Sequence, residues 1–395
     1  DVHLNEPFPQ PSEMLSKAGM AGRRAGASAL GKRFIQMNVI PGGRSSVSGL
    51  TATVIGSTGF LGRYVVNKLG RVGTQVVCAY RCEPDETRHL KLMGDLGQIV
   101  PIRFHARDLD SIARCVERSD VVINLMGKQE LTMNFDFFGA NVEAVSNVAK
   151  VCKEVGVPRL IHVSALAADL DSPSEWLRRK AEGENEVRHY MPNATILRSS
   201  IMWGEEDKFT NLMAKWYKIM GILPLIGNGK NKIQPVYVDD VAEAVRQVAF
   251  DPSLDGKTFE LAGPKAYELK ELTKWVREYI WMTSNASIRS VPDMTDYMPK
   301  DYGHLSPHVT AAKVSDFFYR MWPQALPGAP AMLGIRGDVH MMHTANWVPS
   351  GKHGGFKELG IKKPVDIKDL AGEYLRHYRK GGHFVDSHDG RGTLT

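Results

Sequence analysis

Residues 50–62 read LTATVIGSTGFLG. A short β-prone run meets glycines at 56, 59 and 62, and the helix-like segment FLGRYVVNKLGRVG follows. No other stretch constrains the fold as much. A strand that turns through glycines straight into a helix sends the chain back over the sheet, and the next strand arrives parallel to the first. The next 140 residues keep this rhythm. Strand-like runs appear at QVVCAYR (75–81), QIVPIRFHARDLD (98–110), DVVINLMG (120–127), RLIHVSA (159–165) and ATILRSS (194–200). Helical segments fall at 110–118, 139–155 and 174–190. Short buried strands alternating with helices predict an α/β fold, a doubly wound parallel Rossmann sheet with helices on both faces. The apolar bursts have strand length, well short of the roughly 20 residues of a membrane-spanning helix.

Past residue 200 the alternation loosens into a small α/β lobe, with helices expected at 208–220, 239–250 and 268–282 and a strand at GKTFELAG. The expected organisation is a basic N-terminal extension (1–48), a nucleotide-binding domain with its lobe (49–292), and an irregular C-terminal extension (293–395) with a helix near 366–379. From Lys17 to Ser48 there is no acid but six bases, a composition that resembles a mitochondrial transit peptide. It fits a flexible basic arm, or a mature tail that lies along a neighbour. The absence of Met at position 1 is consistent with processing.

The glycine spacing carries chemistry. Gly56 lets the chain turn, Gly59 admits a diphosphate close to the backbone, and Gly62 lets the helix approach the sheet. The backbone of Ser57, Thr58, Phe60 and Leu61 at the helix start then faces an anion. The turn after strand two, CAYRCEPDE, places Arg81 where an NAD-selective site carries an acid. A guanidinium matches a 2′-phosphate and cannot accept from a ribose hydroxyl, which favours NADP(H). The alternative puts Glu83 or Asp85 on the ribose. Asp108 either bonds the adenine amino group or caps its helix. Asn124, Leu125, Met126 and Gly127 are expected under the cofactor ribose.

This set, GxxGxxG after strand one, NLMG after strand four, HVSA after strand five and a lysine on the following helix, resembles the extended and atypical short-chain dehydrogenase/reductase superfamily. A longer ordered series, including GGRSSVSG, LMGDLGQ, NFDF, LRRKAEGE, GEEDKF, QPVYVDDVA and GKTFELAGP over roughly 42–280, resembles the short-chain-dehydrogenase-like accessory subunits of mitochondrial respiratory complex I. The resemblance implies tightly bound NADPH outside the complex's own electron transfer and a peripheral place on the matrix side of the inner membrane. It also implies matrix-arm subunits as partners, with termini that clamp neighbours.

In active members of the superfamily a strand-five Ser precedes a Tyr and a Lys four residues apart on the next helix. The Lys binds the nicotinamide ribose and the Tyr exchanges a proton with substrate. Here that frame is Ser164, Trp176 and Lys180, with Val163 and Ser164 lining the pocket. An indole N–H donates but has no usable pKa, so proton transfer is lost while Lys180 keeps its binding role. The frame reads as vestigial and the chain as a non-enzyme. Tyr237 is the best reserve acid; Tyr190 lies too far along the helix, and His162 reads as a packed strand residue. Two other readings stay open: an active NADP-dependent reductase or epimerase, and an NADPH-sensing assembly factor.

The net charge of +6 fits an anionic cofactor, acidic partner or anionic membrane surface, and no aromatic-interleaved basic stripe suggests nucleic acid. Cys78, Cys82, Cys115 and Cys152 lack CxxC spacing and read as free thiols. His340, His343 and His353 lack a convincing further ligand, so no metal site is expected.

Overall fold

The computed structural model describes residues 47–129, 134–172, 174–220, 230–281 and 345–379. Seven strands form a fully parallel sheet: β1 (Thr51–Ile55), β2 (Gln75–Tyr80), β3 (Ile99–Arg103), β4 (Val121–Asn124), β5 (Arg159–Ala165), β6 (Thr195–Ser199) and β10 (Thr258–Leu261), in the order β10-β6-β5-β4-β1-β2-β3. The chain runs outward from β1 through β2 to β3, then crosses back to lay β4 on the other side of β1. That reversal opens a crevice beyond the carboxyl ends of β1 and β4, where such sheets bind ligands.

The helices are α1 (Phe60–Arg71), α2 (Arg88–Lys91), α3 (Leu109–Val116), α4 (Ala144–Val155), α5 (Glu175–Tyr190), α6 (Thr210–Met220), α7 (Val238–Phe250), α8 (Leu269–Trp281) and α9 (Ile367–Leu375). One sheet face packs on Val65, Val66 and Leu69 of α1 and Val241, Val245 and Val248 of α7. The other packs on Ile112 and Val116 of α3 and Val145, Val148 and Cys152 of α4. Burial on both faces explains why the strands read as unbroken apolar runs. All four cysteines are free, and burial pushes the Cys78 thiol up to about 12.

Three features depart from or extend the sequence reading. The segment expected as one helix over 139–155 begins with a π turn, Gly139–Glu143, before α4. The lobe contains two small ribbons, β7 (Met202–Trp203) with β9 (Val236–Tyr237) in parallel, and β8 (Lys232–Ile233) with β11 (Tyr267–Glu268) antiparallel. Residues 345–365, though irregular, are built into the fold. Trp347 bridges Ile233 of β8, Gly354 bridges Phe259 of β10, and Phe356 and Leu359 join the α1/α7 core. The expected terminal helix is α9 followed by a 3-10 turn, Arg376–Tyr378, and Asp366 caps its start. Most of the N-terminal extension, and His340 and His343, lie outside the described residues. His353 is exposed, and the described residues contain no group of three or more potential metal ligands.

Candidate functional site

The glycine loop lies at the crevice. Gly56 has φ of 89°, which an L side chain adopts only with strain, and its carbonyl accepts from the Gly59 N–H at 3.1 Å to close the turn. A Cβ on Gly62 would overlap the Gly56 carbonyl oxygen and come within 2.7 Å of the Ser57 backbone. Gly62 therefore sets how closely α1 approaches its own loop. Ser57 is buried and donates to the Ala79 carbonyl at 3.1 Å, tying the loop to β2. Gly59 is exposed and serves as N-cap without any side-chain cap bond, so the start of α1 keeps its donors and positive dipole end facing the crevice.

At the β2 end, Arg81 is exposed and its guanidinium lies over the Phe135 ring at 5.6 Å. A second guanidinium, from Arg107, lies over the same ring at 4.4 Å and donates to the Asn134 carbonyl at 3.2 Å. The two cations converge from the turns after β2 and β3. Sequence reading named Arg81 but missed Arg107; its place directly before Asp108 was the available signal. Asp85, the alternative ribose acceptor, pairs with Arg88 at 2.8 Å. Asp108 accepts from the Asp110 N–H at 3.2 Å, so its carboxylate caps α3.

Leu125 and Met126 are half-buried at the end of β4, and Gly127 is exposed. A Cβ on Gly127 would overlap the Lys180 ammonium, so glycine here makes room for that side chain. Lys180 is 5% exposed, donates to the Met126 carbonyl at 3.3 Å, and has its pKa pushed down to about 8 by burial, partly offset by Glu184. Glu184 is itself paired with Arg198 at 2.7 Å. Such an ammonium fits acceptor hydroxyls well, because they would relieve its desolvation.

Val163 and Ser164 are buried at the end of β5, and the Ser164 hydroxyl has no partner among the described residues. Asn124 and His162 are register neighbours on β4 and β5, and the Asn124 amide nitrogen and both His162 ring nitrogens also lack partners there. His162 is fully enclosed; burial, then the Lys180 charge, pushes its pKa down to about 3. It stays neutral at physiological pH and is a packed residue.

Trp176 is 4% exposed and donates its indole N–H to the Lys128 carbonyl at 2.8 Å. That donor is already used, so even weak polarisation of a substrate carbonyl is closed to it. Its ring faces Trp347 at 6.3 Å and lies 5.9 Å from the Lys180 ammonium. Tyr237 packs on Trp203 at 4.7 Å; burial, then Asp239 and Asp240, raises its pKa, which makes it a poorer acid. Tyr190 sits at the far end of α5 against His189.

The uncapped helix, the glycine cradle, the orphan serine and the buried ammonium together fit a dinucleotide. The NAD dependent epimerase/dehydratase family model matches residues 52–262. A rat relative, NADH dehydrogenase (ubiquinone) 1 alpha subcomplex subunit 9, mitochondrial, is 50% identical over 62% of this chain, and the match spans 66% of that protein, just under two thirds. The Arabidopsis thaliana protein of the same name is 41% identical over 86% of this chain and 81% of its own length. Among solved structures, a nucleoside-diphosphate-sugar epimerase from Staphylococcus aureus superposes with a TM-score of 0.53 at 15% identity, over 81% of this chain and 98% of that one. This last likeness speaks for the fold alone.

Proposed function

From the premise that the chain belongs to the NAD dependent epimerase/dehydratase family, and within it with the mitochondrial subunit 9 relatives, we propose that it is a non-catalytic NADP(H)-binding accessory subunit of respiratory complex I. The carrying observation is the division of the old catalytic frame. The buried Lys180 ammonium bonds the Met126 carbonyl and would hold ribose hydroxyls, while Trp176 has its indole donor bound to Lys128.

The loop from Gly56 to Gly62 would carry the diphosphate. Arg81, joined by Arg107, would take the 2′-phosphate. Leu125, Met126, Gly127, Val163 and Ser164 would line the ribose and nicotinamide, and Asp108 would border the adenine. A bound nicotinamide offers hydride chemistry in general, but the phenol that exchanges the accompanying proton in active members is replaced by the Trp176 indole. The ligand's role is then stability, since anything bound only by the folded state adds to it.

The surroundings follow from the relatives, both described as mitochondrial. No helix among the described residues is long and apolar enough to cross a membrane. We place the chain peripherally on the matrix side of the inner membrane, touching matrix-arm subunits, with its positive charge facing acidic partners or lipid. Native mass spectrometry of the complex purified from mitochondria tests this. The expected result is one NADP(H) retained per copy of this subunit, with co-released neighbours. Steady reduction of a carbonyl substrate by the isolated chain would overturn the reading.

A further inference from the structure

Lys180 and Trp176 lie one turn apart on α5, and Lys180 meets the chain at Met126 and Gly127. Against the Trp176 ring the chain packs a residue from far along the sequence. Trp347 is 2% exposed and its ring lies beside Trp176, the planes tilted by 35°. The backbone around it is woven into the lobe. Its N–H donates to the Lys232 carbonyl at 2.8 Å, and its own carbonyl accepts from the Gln234 N–H at 3.0 Å and the Ser200 hydroxyl at 3.3 Å. Asn346 fastens the preceding position by accepting from the Lys232 N–H at 3.0 Å.

Further along, Asp366 accepts from the Tyr267 hydroxyl at 2.7 and 2.8 Å, so the segment is tied down on both sides of the lobe. The indole sits in one continuous apolar cluster with Trp176, Trp203, Phe209 and Ile233. A hydroxyl-rich substrate reaching the frame from this side would have to displace a packed aromatic residue.

We propose that Trp347 is the resident occupant of the subsite that a substrate would take in a catalytic protein of this fold, and that it locks the dinucleotide in through Trp176. The coupling is short. Trp347 packs against the Trp176 ring, and Trp176 holds the Lys128 carbonyl beside the 126–128 segment, to which Lys180 is also bonded through Met126. Removing the Trp347 ring opens a cavity beside Trp176 and frees that segment. The site is thereby converted from two ligands to one, and release of the dinucleotide requires the lobe to let go of Trp347. The locking half of this proposal rests on the reading of the cleft as a dinucleotide site; the occupancy half does not.

The test uses full-length W347G and W347F. Release of bound NADPH is followed by its fluorescence after dilution into excess NADP+. W347G should release it about tenfold faster or more, and W347F a few fold faster, since each leaves a void where a ring was. Indole at millimolar concentration should refill the void, raising the melting temperature of W347G and slowing release, with no effect on the wild type. Wild-type release rates in both variants, or a W347G melting temperature blind to indole, would overturn the proposal. If W347G does not fold, W347F decides, and wild-type release from it overturns the lock. The indole melt is read without dinucleotide. Indole rescue in a protein whose wild type retains no NADP(H) would therefore sink the cofactor reading and keep the occupancy. Retained NADPH without indole binding would do the reverse.

Discussion

On the α1 side of the cleft, the helix start carries no cap, glycine stands wherever a Cβ would crowd the backbone, and Arg81 and Arg107 reach solvent. On the α5 side, Trp176, Trp347 and Trp203 are buried and packed together, and the donor of Trp176 is bonded within the chain. On one side the helix start and the two guanidiniums stay open, and on the other the Trp176 donor is closed off within the chain. Under the proposed reading the contrast teaches that binding and catalysis draw on separable sets of residues in one crevice, so that a chain can lose the second set and keep the first.

The contrast can be broken by substitution. The largest effect is expected on the packed side: Trp176→Ala should cost about 3–5 kcal/mol of stability in urea denaturation, as deletion of a buried aromatic residue does. A loss under about 1 kcal/mol, well below that range, would mean this side is not packed as described. On the open side, Gly59→Leu should cost the apo protein about 1 kcal/mol or less, because Gly59 is exposed with ordinary φ of −73° and its Cβ would press only on the Gly56 carbonyl oxygen at 3.2 Å. The bulk would block the diphosphate and weaken NADPH binding by about 100-fold, close to 2.7 kcal/mol, in calorimetry.

Arg81→Ala should cost NADPH about 10–100-fold relative to NADH, the worth of one or two charge-assisted bonds. Equal losses for both nucleotides would remove Arg81 as the reader of the 2′-phosphate.

His162 sharpens the comparison from beneath the cleft. Its folded pKa of about 3 lies below the ordinary value, so the unfolded chain takes up the proton first as pH falls. Its contribution is present above about pH 6.5 and is lost towards pH 3, by up to about 1.4 kcal/mol per pH unit. Denaturation midpoints at pH 7, 5.5 and 4.5 should show a shallower acid limb in His162→Leu, and an unchanged slope would assign that limb to other groups. The smallest effect is expected from Trp176→Tyr. Restoring a phenol should yield no measurable NADPH-dependent carbonyl reduction, because Trp347 still fills the approach. Turnover in that variant would show the approach to be open.

Much of this architecture was legible in advance. The six strands up to residue 200 fall where runs such as RLIHVSA were read, since period and burial speak locally. The glycine turn was readable for the same reason, because three glycines at that spacing have few other uses. The π turn at Gly139–Glu143 was not legible: its side-chain pattern is helical, and its register is set by contact with α5, where a Cβ on Gly183 would overlap the Asn141 carbonyl oxygen. Arg107 escaped because its partner Phe135 lies on a different loop, after β4. Trp347 escaped because nothing near it in the chain is periodic.

What the sequence by itself determined is the parallel sheet, the glycine turn into α1 and the indole at position 176 where active members carry a phenol. Those are statements about neighbours along the chain, where propensity, spacing and functional-group chemistry suffice. Only the tertiary structure decided where the Trp176 donor goes, which two guanidiniums meet, and that a residue 171 positions later packs against that indole. Contacts at such separations depend on how layers pack and on which polar groups remain to be paired once apolar surface is buried, and no local pattern encodes that outcome.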